Sequence, residues 1–576
     1  MSGFTQTIWR ELENTKNDSL PGIYHPLIER ILVARGVVSS DEMIDFMSAR
    51  PQKTYDPYLM KGMHNAVKRI KEALENNEKI VFYGDYDVDG VTSVALLTDF
   101  FYPITKQIEF YIPLRNDEGY GLHRDAIEEI KEEYHADLLM TVDCGISSID
   151  EVGYANELGL DVIITDHHLP GNEIPDCIVL NPKQPGCQYP FKELCGCGVA
   201  FKLIQALQQE LSLSKSHLAQ MLDLVAMATV CDVVPLIDEN RTFVKYGLER
   251  IRQKKRVGLN TLIRQLSLKQ EGITARDLGF VIGPHFNAAG RIDDARSGVR
   301  LLVTKDANTA EEISHLLCRL NSQRRHIQDD GLLLCSELVE ERHQLDPFLV
   351  VSDSGLHEGV IGIIAGRLRD RYFRPVIILT STSDPDVYTG SGRSVPGFHL
   401  YHELSTVAHL FEKYGGHASA CGLKIRKEHI NELRDVMIQR VLTAQNEDPD
   451  LLQQQIIYVS EMKPGDIAED LIQQLSFLEP HGMGNPRPCF CMKGLRVNGD
   501  SRVRVMGHEK QHIKINQFVF DELPDNSSLE IIGFNLGVER MNILRSYNGF
   551  DLLFVPQVNE FNGKRSIQMV IKDVRQ

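Results

Sequence analysis

No run of apolar residues in this chain is long enough to span a bilayer. Met1 to Arg10 hold no apolar segment of signal-peptide length. Both absences predict a cytoplasmic protein without a membrane partner. The 11 cysteines are scattered and lack the paired spacing of a metal finger. Cys195-Gly196-Cys197 is too tight for the usual structural zinc pattern, so the thiols read as reduced. Positive charge is also in short supply. The formal net charge of −18 argues against a protein that coats nucleic acid non-specifically, and leaves room only for a local basic groove.

What is there is an ordinary globular composition, 42% hydrophobic and 25% charged, spread over 576 residues. One core does not grow that large, so several domains are expected. The stretch that organises them runs from Lys79 to Ser93. A short apolar run, Ile80-Val81-Phe82-Tyr83, ends in Asp85, Asp87 and Asp89; glycine and small hydroxyl residues follow, then an apolar helical pattern. This reads as a buried strand, a turn and a helix. In an extended segment alternate residues point the same way, so the three carboxylates would converge. Three converging anions repel unless a cation sits between them. An acidic turn at a strand end is the plain alternative.

Further strands follow the same plan. Ile108 to Pro113 precedes Arg115; Leu138 to Val142 ends in Asp143; Asp161 to Thr165 ends in Asp166-His167-His168; Cys177 to Leu180 closes the series. Val-, Ile- and Leu-rich strands alternating with helices predict a parallel sheet covered on both faces. Ligands bind such sheets at the carboxyl ends of the strands, where these acids and histidines lie. Asp232 adds a carboxylate after an apolar helical stretch. Carboxylates with one or two histidines suit Mn²⁺ or Mg²⁺ better than zinc, and several carboxylates can bridge two ions.

The domain plan that emerges is a helical arm over residues 1–60, with Ser40 or Asp41 capping one helix, packed on a first domain over 61–238. A helical region over 239–340 is interrupted at Asn287 to Arg291 and ends in a connecting helix from Thr309 to Leu338. A smaller α/β domain covers 341–445, a polar linker runs from Ala444 to Gln455, and a small all-β barrel covers 456–576.

The spaced aspartates of 83–93, the segment 142–148, the triplet 166–168 and the segment 231–236 resemble, in this order, the motifs of the DHH phosphoesterases. Segments 289–291, 357–362, 390–394 and 415–417 also match, the last three in the companion domain called DHHA1. The likeness runs from about residue 60 to the end and is nearest to the family's single-strand-specific exonucleases. It implies a parallel-sheet DHH domain joined by a long helix to the DHHA1 domain, and a terminal barrel of the OB type. It implies metal ligation by Asp87, Asp89, Asp143, His167 and Asp232, with two ions, Mn²⁺ or Mg²⁺. Asp85 becomes a supporting acid, His168 a group against the scissile phosphate, and Asp166 a buttress for the histidines. Arg115, Arg291, Ser391, Gly392, Arg393 and His417 become phosphate or DNA contacts. His285 stands where the resemblance leads one to expect an arginine. Arg502, Arg504, His508 and Lys510 form a modest basic patch on the barrel, or else a solvated strand face.

The activity implied is 5′-to-3′ degradation of single-stranded DNA to mononucleotides in repair and recombination. The setting implies a single-strand-binding protein and a helicase as partners of a monomer. Two rival readings are a hydrolase of short oligonucleotides, cyclic dinucleotides or pyrophosphate, and a non-catalytic DNA-binding scaffold. The extra length opposes the first and the full set of acids opposes the second.

Overall fold

The computed structural model describes residues 7–13, 20–48, 50, 53–114, 121–343, 346–497, 502–507, 511–516, 518–520, 523–524, 529–545, 549–561 and 564–576. The first sheet is built from β1 (Ile80–Gly84), β2 (Ile108–Tyr111), β3 (Leu138–Val142), β4 (Asp161–Thr165) and β5 (Ile178–Leu180), in the spatial order β2-β1-β3-β4-β5. Every neighbouring pair is parallel. All five residues of β1 are buried, and its alternation explains why none is polar. Ile80 and Phe82 enter the core on one face of the sheet, and Val81 and Tyr83 the core on the other. In this strand order the chain moves from β1 out to β2 on one side, then crosses back past β1 to β3 on the other. A crevice therefore opens at the carboxyl ends of β1 and β3.

Helices α1 (Val88–Phe101), α2 (Gly196–Glu210), α3 (Leu222–Cys231), α4 (Asp238–Arg252) and α5 (Gly283–Ile292) are the members of this lobe that shape the site. The segment Asn287 to Arg291, expected to interrupt the helical region, lies within α5. The connecting helix is α6 (Ala307–Leu338), 32 residues and about 48 Å at 1.5 Å per residue. Ala310, Leu317 and Leu320 near its start pack in the first lobe's core, while Cys335 near its end packs in the next domain's. One rod thus belongs to two cores.

That next domain is a five-stranded sheet. Its strands are β6 (Leu349–Ser352), β7 (Val376–Ser381), β8 (Val387–Arg393), β9 (Phe411–Gly416) and β10 (Ala420–Arg426), in the order β9-β10-β8-β7-β6. Helix α7 (Glu358–Tyr372) crosses between β6 and β7, the parallel pair. The C-terminal region carries a six-stranded mixed sheet, consistent with the expected OB barrel.

The N-terminal arm touches two bodies: Tyr55, Tyr58 and Met60 pack on the first lobe's core, whereas its two helices fill another. Its helices Pro26–Ala34 and Ser40–Met47 place Ile28, Leu32, Met43 and Phe46 in one core with Phe490, Phe554 and Met569 of the barrel. The second helix is capped by Ser39 in a capping box with Glu42, one residue before the positions predicted. Strand Ile8–Glu11 pairs in parallel with Gln455–Tyr458. The polar linker is shorter than predicted, because helix Ile430–Glu447 takes its first residues and that strand its last. Local polarity was legible in the sequence; a strand partner more than 400 residues away was not.

Arg241 of α4 ties this C-terminal body to the first lobe. The side chain is buried. It donates to Phe46 O at 3.0 Å, Leu478 O at 3.0 Å and Phe477 O at 2.8 Å, and its guanidinium lies 4.0 Å from the Phe46 ring centre. Replacing it strands three carbonyls away from water. Arg241→Ala should destabilise the protein by about 3 kcal/mol and make the arm and barrel more susceptible to limited proteolysis. Unchanged protease resistance and thermal melting would refute this role.

Candidate metal centre and phosphate site

The turn after β1 is a helix start rather than a continued strand. Asp87 caps α1, its Oδ1 accepting from Asp89 N at 2.8 Å and Gly90 N at 3.2 Å. Asp89 therefore sits in the first helical turn, and the extended-segment route to convergence does not hold. Convergence comes from tertiary structure. Asp85 and Asp87 bring ligand atoms within 4.8 Å of Asp143, from the end of β3. Asp89 shares a second group with His167 and Asp232, ligand atoms again within 4.8 Å, and its carboxylate also accepts from Gly196 N and Cys197 N at the N-terminus of α2, at 2.6 and 2.8 Å. Asp143 adopts φ +60°, a conformation few residues other than glycine or Asn/Asp tolerate. A Cβ on Gly196 would come within 2.7 Å of Asp143 Cβ, so only glycine lets α2 approach this closely.

His167, after β4, stands at the centre. Its Nε2 lies 3.1 Å from Asp143 Oδ1, 3.7 Å from Asp232 Oδ2 and 3.9 Å from Asp89 Oδ2. Asp232 caps the C-terminus of α3. Neither His167 Nε2 nor Asp232 Oδ2 makes a hydrogen bond, although both are shut off from water. Buried polar atoms in that state are rare and costly. Burial and the nearby His168 push His167 down to about 3, so its imidazole is neutral. Burial, then Asp87, pushes Asp89 up to about 7 against the pull of the α2 amides. Burial with Asp89, Asp87, Asp232 and Asp85 holds Asp143 well above the usual carboxylate range, and burial with Asp89 and Asp87 does the same to Asp232. Neutral imidazole and crowded carboxylates are the donor set a hard divalent cation relieves. The residues fit such an ion.

Asp166 is differently placed. It accepts from Ile146 N, His167 N, His168 N and His168 Nδ1, at 2.9, 2.7, 3.1 and 2.8 Å. Burial works to raise its pKa, but the His168 hydrogen bond and charge hold it below the ordinary value. In turn His168, which burial would lower, is raised by its bond to Asp166. Asp166 thus orients the histidine pair.

The opposite wall comes from the second domain. In β8, Arg393 donates to Ser391 Oγ at 3.1 Å and to Gly392 O at 2.7 Å. Both side chains lie against Gly362 of α7, where a Cβ would meet each at 3.0 Å. His417 follows β9; burial and then the charges of His168 and Lys183 lower its pKa, so it lies within electrostatic reach of the metal-centre wall. Arg291 joins the walls by donating to Gly359 O at 2.8 Å, at the start of α7. The preceding Gly290 packs on the aspartate turn so tightly that a Cβ would be 2.2 Å from Tyr86 O.

Arg115, His508 and Lys510 lie outside the described residues. His285 gives no sign of substituting for a phosphate-binding arginine. It is buried, with one ring nitrogen on Val281 O at 2.7 Å and the other on Asn321 of α6 at 3.1 Å, so it braces two helices. Sequence reading passed over Asn181 and Lys183. Asn181 donates to His168 O at 2.9 Å and accepts from Lys183 N at 2.8 Å. The charge of Lys183 lowers the pKa of both His167 and Asp232. Both follow β5, and the strand-end rule that found the acids would have found them too.

A doubly wound sheet with a carboxylate–imidazole cluster at its switch point defines the class: a metal-binding phosphoesterase. The profile described as the DHH family, N-terminal domain, matches residues 79–229, the DHHA1 domain matches 345–443 and the RecJ OB domain matches 460–573. The single-stranded-DNA-specific exonuclease RecJ of Bacillus subtilis is 37% identical over 95% of this chain and 68% of its own. That of Salmonella typhimurium is 34% identical over 98% of both. The crystal structure of RecJ in complex with Mn²⁺ from Thermus thermophilus superposes with a TM-score of 0.81 at 26% identity, covering 99% of this chain and 80% of that one. This chain belongs to the RecJ family.

The raised carboxyls set a pH dependence. A carboxyl whose pKa is higher folded than unfolded stabilises the fold while protonated, and that contribution is lost as pH rises through the folded value. Metal-free protein should therefore melt at lower temperature as pH climbs from about 5 to 8, a window set by the unperturbed carboxyl range and Asp89. Asn tolerates the left-handed backbone at position 143 and carries no charge. Asp143→Asn should flatten that dependence, and should abolish any rise in melting temperature on adding Mn²⁺. Scanning calorimetry across this range, with EDTA or Mn²⁺, checks both; a wild-type profile from the variant would refute the placement of Asp143 in the cluster.

Proposed function

We propose that this chain is a metal-dependent exonuclease that degrades single-stranded DNA from its 5′ end to mononucleotides, in repair and recombination. The observation that carries the reading is the convergence of Asp85, Asp87, Asp89, Asp143, His167 and Asp232 at the switch point of the first sheet. In this reading Asp87, Asp89, Asp143, His167 and Asp232 hold two ions, Mn²⁺ or Mg²⁺, and Asp85 supports them. When bound, the ions supply the positive charge that favours attack at phosphorus and stabilises the leaving oxygen. Fixed by Asp166, His168 keeps its proton to higher pH and presents a donor to the scissile phosphate. Ser391, Gly392 and Arg393, backed by α7, take a phosphate of the strand on the far wall, with His417 beside them. Arg291 sets the distance between the walls. Family membership, rather than this geometry, supports strand preference and polarity. The same kinship supports action as a monomer alongside a single-strand-binding protein and a helicase.

The test is hydrolysis of a long 5′-labelled single strand, the matching duplex and a dinucleotide, with Mn²⁺ and with EDTA. The expected result is early release of labelled mononucleotide from the single strand alone, lost with EDTA and reduced ~10³-fold in Asp143→Asn. Preference for the dinucleotide would indicate a small-substrate hydrolase, and metal-independent binding without cleavage a scaffold; either outcome sinks the proposal.

A further inference from the structure

Lys183 carries a positive charge at the edge of a crevice built for a cation, where it repels any divalent ion that enters. Its position is fixed from two sides. Asn181, fully buried just after β5, donates to His168 O at 2.9 Å and accepts from Lys183 N at 2.8 Å, which hangs the lysine from the histidine turn. On the other side Lys183 Nζ reaches Glu193 Oε2 at 3.5 Å. Glu193 is tied to the Asp232 turn by Asn240, which donates to Glu193 O at 2.6 Å and to Pro235 O at 3.0 Å. The lysine thus spans the gap between His168 and the segment that follows Asp232.

Two lysines of this loop are used differently. Lys192 Nζ is spent on Pro182 O and Cys187 O, both at 2.8 Å. Lys183 Nζ makes no hydrogen bond among the described residues, and its contact with the half-exposed Glu193 is long. An ion pair of that kind contributes little. The Lys183 charge is nevertheless felt on both walls. Burial dominates the pKa of His167, Asp232 and His417, and Lys183 also pulls each of the three downward. The ammonium therefore faces the space between the metal centre and the second domain.

We propose that Lys183 is a substrate-contacting residue, whose ammonium meets from the metal-centre wall the same phosphate that Ser391, Arg393 and His417 hold on the far wall. The inference rests on the nuclease reading above and adds to it a residue that grips the strand across the crevice. A cation that opposes metal binding and gains little from Glu193 is offset by an anion that enters the space it faces. On the nuclease reading that anion is a phosphate. With the scissile phosphate at the metals and His168, the clamped phosphate is its neighbour in the strand. Charge-assisted contacts from both walls fix that neighbour, and so the reach of the scissile bond toward the metals.

The test compares full-length wild type, Lys183→Met, Lys183→Arg and Glu193→Gln in Mn²⁺ on a 5′-phosphorylated single strand. Lys183→Met should raise KM about tenfold and hold kcat within about twofold. Lys183→Arg should recover most of the loss, and Glu193→Gln should leave KM at or below the wild-type value. Two further strands remove the charge of each neighbour of the scissile phosphate in turn: one carries a 5′ hydroxyl, the other an uncharged methylphosphonate at the second linkage. On one of these, wild type and Lys183→Met should share a single KM. Unchanged KM in Lys183→Met, its full loss on both altered strands, or the same loss in Glu193→Gln overturns the contact. Mn²⁺ should raise the melting temperature of Lys183→Met at least as much as that of wild type; a smaller rise assigns Lys183 to support of the cluster and overturns it too. An inactive wild type would instead remove the nuclease reading itself.

Discussion

Mutual repulsion among buried carboxylates is the constraint on which this structure turns. Asp85, Asp87, Asp89, Asp143 and Asp232 converge at one crevice, and burial pushes Asp89, Asp143 and Asp232 toward the protonated state. Such an arrangement opposes folding unless something offsets it. The fold offers partial offsets: the amides at the start of α2 on Asp89 and the start of α1 on Asp87. It does not offer a complete one, because Asp232 Oδ2 and His167 Nε2 face each other without a hydrogen bond. A divalent cation completes what the helix termini begin.

The crevice is held open by contacts that leave no room for a side chain. Gly196 lets α2 reach Asp143, and Gly290 lets α5 reach the aspartate turn at Tyr86. Arg291, one residue on, passes that contact to the start of α7 through Gly359 O. The two walls are therefore registered through one short helical segment, in addition to the long connecting helix. On the proposed reading, with phosphate held on one wall and the ester broken at the other, the walls need a fixed separation. Here the close approach of Gly290 to Tyr86 and the Arg291 side chain on Gly359 O set that separation.

Much of this was legible in sequence. The strand-end acids and the Asp166-His167-His168 triplet announced a parallel sheet and a hard-cation site, because several acidic strand ends lie in register on one sheet. The details that were misread depend on tertiary contacts. Asp89 looked like a strand residue because alternation was the only local pattern available; the cap made by Asp87 places it in a helix. The role of His285, standing where an arginine was expected, was open in the sequence because its partner Asn321 lies 36 residues away. The arm's two helices fill the barrel's core rather than the first lobe's, because apolar faces do not say which core they fill, while Tyr55, Tyr58 and Met60 do pack on the first lobe.

The same electrostatics bears on how the centre would be loaded. Carboxyls that are protonated when empty must release their protons before they can serve as ligands, so metal binding and proton release are linked. With Asp89 titrating at about 7 and Asp143 and Asp232 also raised, that competition falls at neutral pH rather than in acid. His167 stands outside it, since its imidazole is already neutral. A divalent ion held by these residues would lower the remaining carboxyl pKa values by its own charge.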